Sequence, residues 1–205
     1  MYNEKVDTNT LKKIIKNNNI LKDDKNIIAL GIDQGYANLG YALVKYNIHT
    51  DKYSVLKSGT IVTKSKDEIQ DRLFYIYKKI EVLLKENAID LMACERLFVN
   101  GERNANGNKR RNKSVAIVRT NMSTGIIYLL SSQYNVRMND FPPTTIKKQL
   151  TGNGRADKEE IIKVVEDLMT KQGLKVKTNH ESDAIAIGIT TISSFIEKLL
   201  KEKGE

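Results

Sequence analysis

Along this chain the apolar residues change their spacing several times, and each change marks an element. Runs rich in β-branched and aromatic residues at 27–33, 39–46 and 53–63, set between turn residues, predict three consecutive strands. Gly35 and Asn38 mark the first turn, and Asn47 to Asp51 the second. From 67 to 87 the period lengthens: Ile69, Leu73, Ile76, Ile80 and Leu83 recur at steps of four and three, which predicts a helix. Residues 89–95 (IDLMACE) are nearly all apolar, as a strand buried on both faces requires. Residues 99–112 (VNGERNANGNKRRN) have no period and read as a loop.

A second helix is predicted over 113–132, with Val115, Val118, Met122, Ile126 and Leu129 on one stripe. Gly125 inside it suggests a close helix contact. A fifth strand at 136–141, a helical turn opened by Pro142 and Pro143, and helices near 157–171 and 181–202 complete the chain. Three strands followed by alternating helices and strands predict an α/β domain with a mixed five-stranded sheet flanked by helices. We read two parts: a polar N-terminal arm, 1–26, and a domain, 27–205. Leu11, Ile14 and Ile15 allow one helix in the arm, which is otherwise expected to be a solvated tail.

Composition narrows the class. With 40% apolar and 29% charged residues, the 205-residue chain suits a globular domain. No apolar run is long enough for a membrane span. An apolar leader is not found near Met1, and the expected location is the cytoplasm. Cys94, the single cysteine, lies in an apolar strand and reads as packing. The formal net charge of +9 favours a polyanionic partner, although 26 of the 34 basic residues are Lys, which a solvated surface would also explain. The clustering says more: from Arg96 to Arg119 there are seven basic residues and one acid, Glu102. Arg103, Lys109, Arg110, Arg111 and Lys113 are the candidate DNA-binding residues of that cluster.

Acidic residues interrupt the apolar runs at particular places. Asp33 ends the first strand in GIDQGYANLGYALV, and Glu95 ends IDLMACE. His180 and Asp183 lie three apart at the start of an apolar helix in NHESDAIAIGIT, so both project onto one face. Glu181 should point away from Asp183. Taken singly, each has an ordinary explanation as a turn residue, helix cap or ion-pair partner. Together they are three carboxylates and an imidazole, a donor set suited to hard Mg²⁺ or Mn²⁺ ions acting on a phosphodiester.

These segments resemble the RuvC-type Holliday junction resolvases, whose fold is ribonuclease H-like. GIDQGYANLGYA is similar to that family's G-I-D-x-G strand with a downstream G-Y, and ERLF to its E-x-x-F segment. TIKKQLTGNGRADK resembles its V-K-x-x-x-x-G-x-G-x-A-x-K stretch, and HESDAIAIGIT its last helix. The likeness spans about residues 27–195, in order. It implies a homodimeric nuclease that resolves four-way DNA junctions by paired symmetric nicks. It further implies metal binding and catalysis by Asp33, Glu95, His180 and Asp183, two Mg²⁺ ions with Mn²⁺ as a substitute, Lys147 and Lys158 near the scissile phosphate, and Phe98 against bases at the branch point. The long loop after Phe98 and the N-terminal arm depart from the family and bear on substrate choice. So does the alternative that forks or flaps are preferred over four-way junctions. An actin-like ATPase would need further Gly-rich phosphate loops, and a non-catalytic DNA-binding module would not need all four site positions filled.

Overall fold

The computed structural model describes residues 8–18, 21, 25–96 and 111–202. Its elements run α1 (Thr8–Asn18), β1 (Asn26–Asp33), β2 (Asn38–Asn47), β3 (Lys52–Val62), α2 (Ile69–Glu86), β4 (Leu91–Glu95) and α3 (Arg111–Gln133). Then come β5 (Arg137–Phe141), α4 (Pro143–Thr151), α5 (Lys158–Thr170) and α6 (Asn179–Lys201). The sheet order is β3-β2-β1-β4-β5. β2 is antiparallel to both β1 and β3, whereas β1, β4 and β5 are parallel. The carboxyl ends of β1, β3, β4 and β5 therefore reach the same edge of the sheet, where ligand sites of α/β sheets collect.

Alternation along β1 sends its side chains to two cores. Ile27 and Ala29 join a cluster with α1, α4, α5 and α6; Leu30 and Ile32 join one with α2 and α3. β4 is sealed on both sides, with Leu91, Met92, Ala93 and Cys94 all buried. This is what its unbroken apolar run requires.

One detail differs from what the sequence suggests, and a second concerns a face that the spacing left open. The face of α1 formed by Leu11, Ile14 and Ile15 is buried in the core beneath α6, so it is not a solvated tail. Spacing of three and four residues gives α1 one apolar stripe, and burying that stripe outweighs its polar composition. In α3 it is Ile127 and Leu130 that pack on the sheet. The stripe read from sequence faces outward, with Val118 53% and Leu129 60% exposed. A Cβ built on Gly125 would meet nothing within 4 Å among the described residues, so no close contact among them explains that glycine.

Candidate active site

Close backbone packing brings the site together. A Cβ on Gly31 of β1 would fall 2.2 Å from the carbonyl oxygen of Ala184, and one on Gly40 of β2 would fall 2.0 Å from that of His180. Any side chain at either position would push α6 off the sheet. With glycine at both, the first turn of α6 lies directly over the end of β1, and His180 Nδ1 comes within 2.6 Å of Asp33 Oδ2. An ionised carboxylate can only accept, so Nδ1 is the donor, and in the neutral imidazole that leaves Nε2 as the nitrogen able to ligate. Thr178 caps α6 by accepting from Glu181 N–H. The Glu181 carboxylate turns away as expected, accepting from Ser58 Oγ at 2.6 Å and Lys177 N–H at 2.7 Å.

Asp183, one turn on from His180, has its Oδ2 at 3.3 Å from Lys158 Nζ. Lys158 is the first residue of α5, held there by a capping box between Asp157 and Glu160. A cation at a helix N-terminus is opposed by the macrodipole. The Asp183 carboxylate offsets that cost. Lys147, from α4, lies near enough that its charge stabilises ionised Glu95.

Glu95 sits at the end of β4, beside the end of β1. Burial pushes its carboxyl above the usual range, and the charges of Asp33 and Asp183 push it further. Burial likewise raises Asp33; the His180 bond opposes the shift and Asp183 adds to it. Asp33 and Glu95, both raised by burial and by neighbouring carboxylates, share the site with Asp183 and two lysines. Among the described residues no three His, Cys, Asp or Glu side chains close on a common point at metal-ligand distance. Asp33 is engaged by His180, and Asp183 by Lys158. The donor set nonetheless fits a hard dication, because a positive ion offsets both the burial and the repulsion between carboxylates that raise Asp33 and Glu95.

Two contributors had no signal in the sequence. Gln34 grips the Glu95 backbone: its amide nitrogen donates to the Glu95 carbonyl at 2.5 Å and its oxygen accepts from Glu95 N–H at 3.1 Å. This clamp fixes the end of β4 against the end of β1. Arg96 pairs with Asp140 at 2.7 Å and ties β4 to β5. Neither interaction follows a period, and both require knowing that these strands are neighbours. Cys94 is buried, which pushes its thiol up to about 12 and leaves it no role as a nucleophile. Phe98, Arg103, Lys109 and Arg110 lie outside the described residues. Arg111 and Lys113 fall in the first turn of α3, where the helix backbone alone is described.

The model of the family described as crossover junction endodeoxyribonuclease RuvC matches residues 29–191. The chain belongs to the RuvC family. A RuvC from Rickettsia typhi is 36% identical over 166 residues, covering 81% of this chain and 97% of the relative. One from Rickettsia prowazekii is 34% identical over the same share of each. Among solved structures, Thermus thermophilus RuvC in complex with Holliday junction substrate superposes with a TM-score of 0.70 at 22% identity, over 84% of this chain and 97% of that one. The yeast mitochondrial Holliday junction resolvase reaches 0.58 at 14% identity, over 97% and 96%. At those identities the likeness is one of fold, and it gives the RuvC chain the ribonuclease H-like architecture.

Proposed function

We propose that this chain is a metal-dependent structure-specific endonuclease that resolves four-way (Holliday) DNA junctions by paired symmetric nicks. The observation that carries the chemistry is the gathering of Asp33, Glu95, His180 and Asp183 at one sheet end, where burial and neighbouring carboxylates raise Asp33 and Glu95 and where Lys147 and Lys158 lie close by. Family membership supports the substrate. Asp33, Glu95, His180 (through Nε2) and Asp183 are the residues to hold the metal, with two Mg²⁺ ions as the reading and Mn²⁺ as a substitute. Divalent cations supply Lewis-acid stabilisation of the charge that builds on a phosphodiester under attack.

The chain's own residues do the rest. Lys147 and Lys158 offset phosphate charge at the scissile position. Gln34 holds Glu95 in register. Phe98 stacks on a base at the branch point, and Arg103, Lys109, Arg110, Arg111 and Lys113 contact flanking phosphates. The outward stripe of α3 supports a homodimer, whose two-fold axis would match that of a four-way junction and pair two nicking sites. No helix among the described residues is long and apolar enough to cross a membrane, in keeping with action in the cytoplasm. Comparing cleavage of a four-way junction, fork, flap and linear duplex in Mg²⁺ tests the substrate. The four-way junction should be cut fastest; a fork or flap cut faster would transfer the same chemistry to another branch.

A further inference from the structure

The lysines of the site come from α4 and α5, on one face of the sheet. At the same sheet end, on the face covered by α2 and α3, stands a second basic group that the reading above leaves unused. Tyr36, three residues after Asp33, is 6% exposed. The guanidinium of Arg72 lies 3.9 Å from the centroid of its ring, and that of Arg119 lies 5.5 Å from it. Arg72 belongs to the first turn of α2 and is itself 8% exposed. Its Nε donates to Thr63 Oγ1 at 2.9 Å, and Thr63 Oγ1 donates to the Tyr36 carbonyl at 2.8 Å. Arg119 is an exposed residue of α3.

Charge at this point is unbalanced. Lys158 has Asp183 and Arg96 has Asp140, but among the described residues neither Arg72 nor Arg119 has a carboxylate partner. Two guanidinium groups held near one ring repel each other, and the ring offsets only part of that. The terminal nitrogens of Arg72 bond nothing in the described chain, yet they are not sealed from solvent. Tyr36 Oη is buried, with no hydrogen-bond partner among the described residues. The group therefore offers donors and positive charge and lacks an acceptor. Guanidinium forks fit phosphate oxygens.

We propose that Arg72 and Arg119, carried on Tyr36, form a phosphate subsite for the DNA strand being cut, on the opposite side of the scissile phosphate from Lys147 and Lys158. This rests on the nuclease reading. It also gives Arg72 two tasks: the Thr63 bond latches the loop after Asp33, and the free nitrogens receive the phosphate.

The test uses four-way junctions in which one phosphate at a time, on either side of the nick, is replaced by an uncharged methylphosphonate. With wild-type protein, one flanking position should slow cleavage about tenfold, the size of one good contact. Arg119→Gln should lose about the same factor on unmodified DNA and then be indifferent to that one methylphosphonate, while other positions still cost their full penalty. Arg119 is exposed, so its variant should melt with the wild type. Additive penalties at every position for Arg119→Gln would overturn the proposal. If the wild type cuts no branched DNA in Mg²⁺ or Mn²⁺, the nuclease reading fails. The same series is then read by binding: coupling at one position upholds the phosphate subsite, and its absence overturns it.

Discussion

Glu95 stands where stability and chemistry disagree. Four buried residues of β4 lead into it, and burial, Asp33 and Asp183 together hold its carboxyl above the ordinary value of 4.5. A raised folded-state pKa means that the protonated form folds better. The ionised group therefore weakens the fold once pH has risen past the folded value, and costs nothing below 4.5. Glu95→Gln should accordingly melt above the wild type at neutral pH and lose that advantage at acidic pH. Thermal denaturation across the two conditions checks this; a variant less stable at neutral pH would contradict it. Asp33, Glu95, His180 and Asp183 were legible in the sequence because each is a polar interruption at the edge of an apolar run. Gln34 was not, because a glutamine in a turn carries no sign of which backbone it grips. Nor was the grouping of Tyr36, Arg72 and Arg119, which the chain brings together from a loop and two helices.

The elements were read from period, and period reports an apolar face without saying what covers it. All five strands and the long helices follow the pattern. Which face α3 presents to the sheet is left open by period, because α3 has apolar residues both inward, at Ile127 and Leu130, and outward, at Val118 and Leu129. For α1 the reading failed: three apolar residues in a polar arm suffice to dock it. Leu11 is 0% exposed, so Leu11→Ala should lower stability by about 2–5 kcal/mol, measured by urea unfolding. A loss near zero would mean that α1 is dispensable to the core. Between α2 and α3, Glu81 accepts from Tyr77 and Tyr134 and pairs with Lys78 and Lys85. The lysines hold its pKa at about 2, against an ordinary 4.5. A lowered folded value contributes stability that is present above 4.5 and lost as pH falls towards 2. Glu81→Gln should therefore be less stable than the wild type at neutral pH, with the difference shrinking over that acid interval. A pH-independent difference would leave the ion pairs without a role.

For the molecule as a whole, the outward stripe of α3 and the acidic cleft describe one machine only if two copies meet. Met122 is 41% exposed within the stripe. Met122→Asp should convert a dimer to a monomer in sedimentation, leave the melting of the single chain little changed, and replace paired nicks by single ones. A wild-type chain already monomeric at working concentration would remove that assembly. The central claim, that Asp33, Glu95 and Asp183 form a metal-dependent cleavage centre, is tested most directly on one substrate. Cleavage and binding of a four-way junction would be measured together, with and without Mg²⁺, for wild type and Glu95→Gln. The account predicts that wild-type cleavage requires the metal, and that Glu95→Gln binds the junction as tightly but cuts it at least about a hundredfold more slowly. A Glu95→Gln protein that cuts at the wild-type rate in Mg²⁺, or a wild type that cuts equally well in chelator, would contradict it.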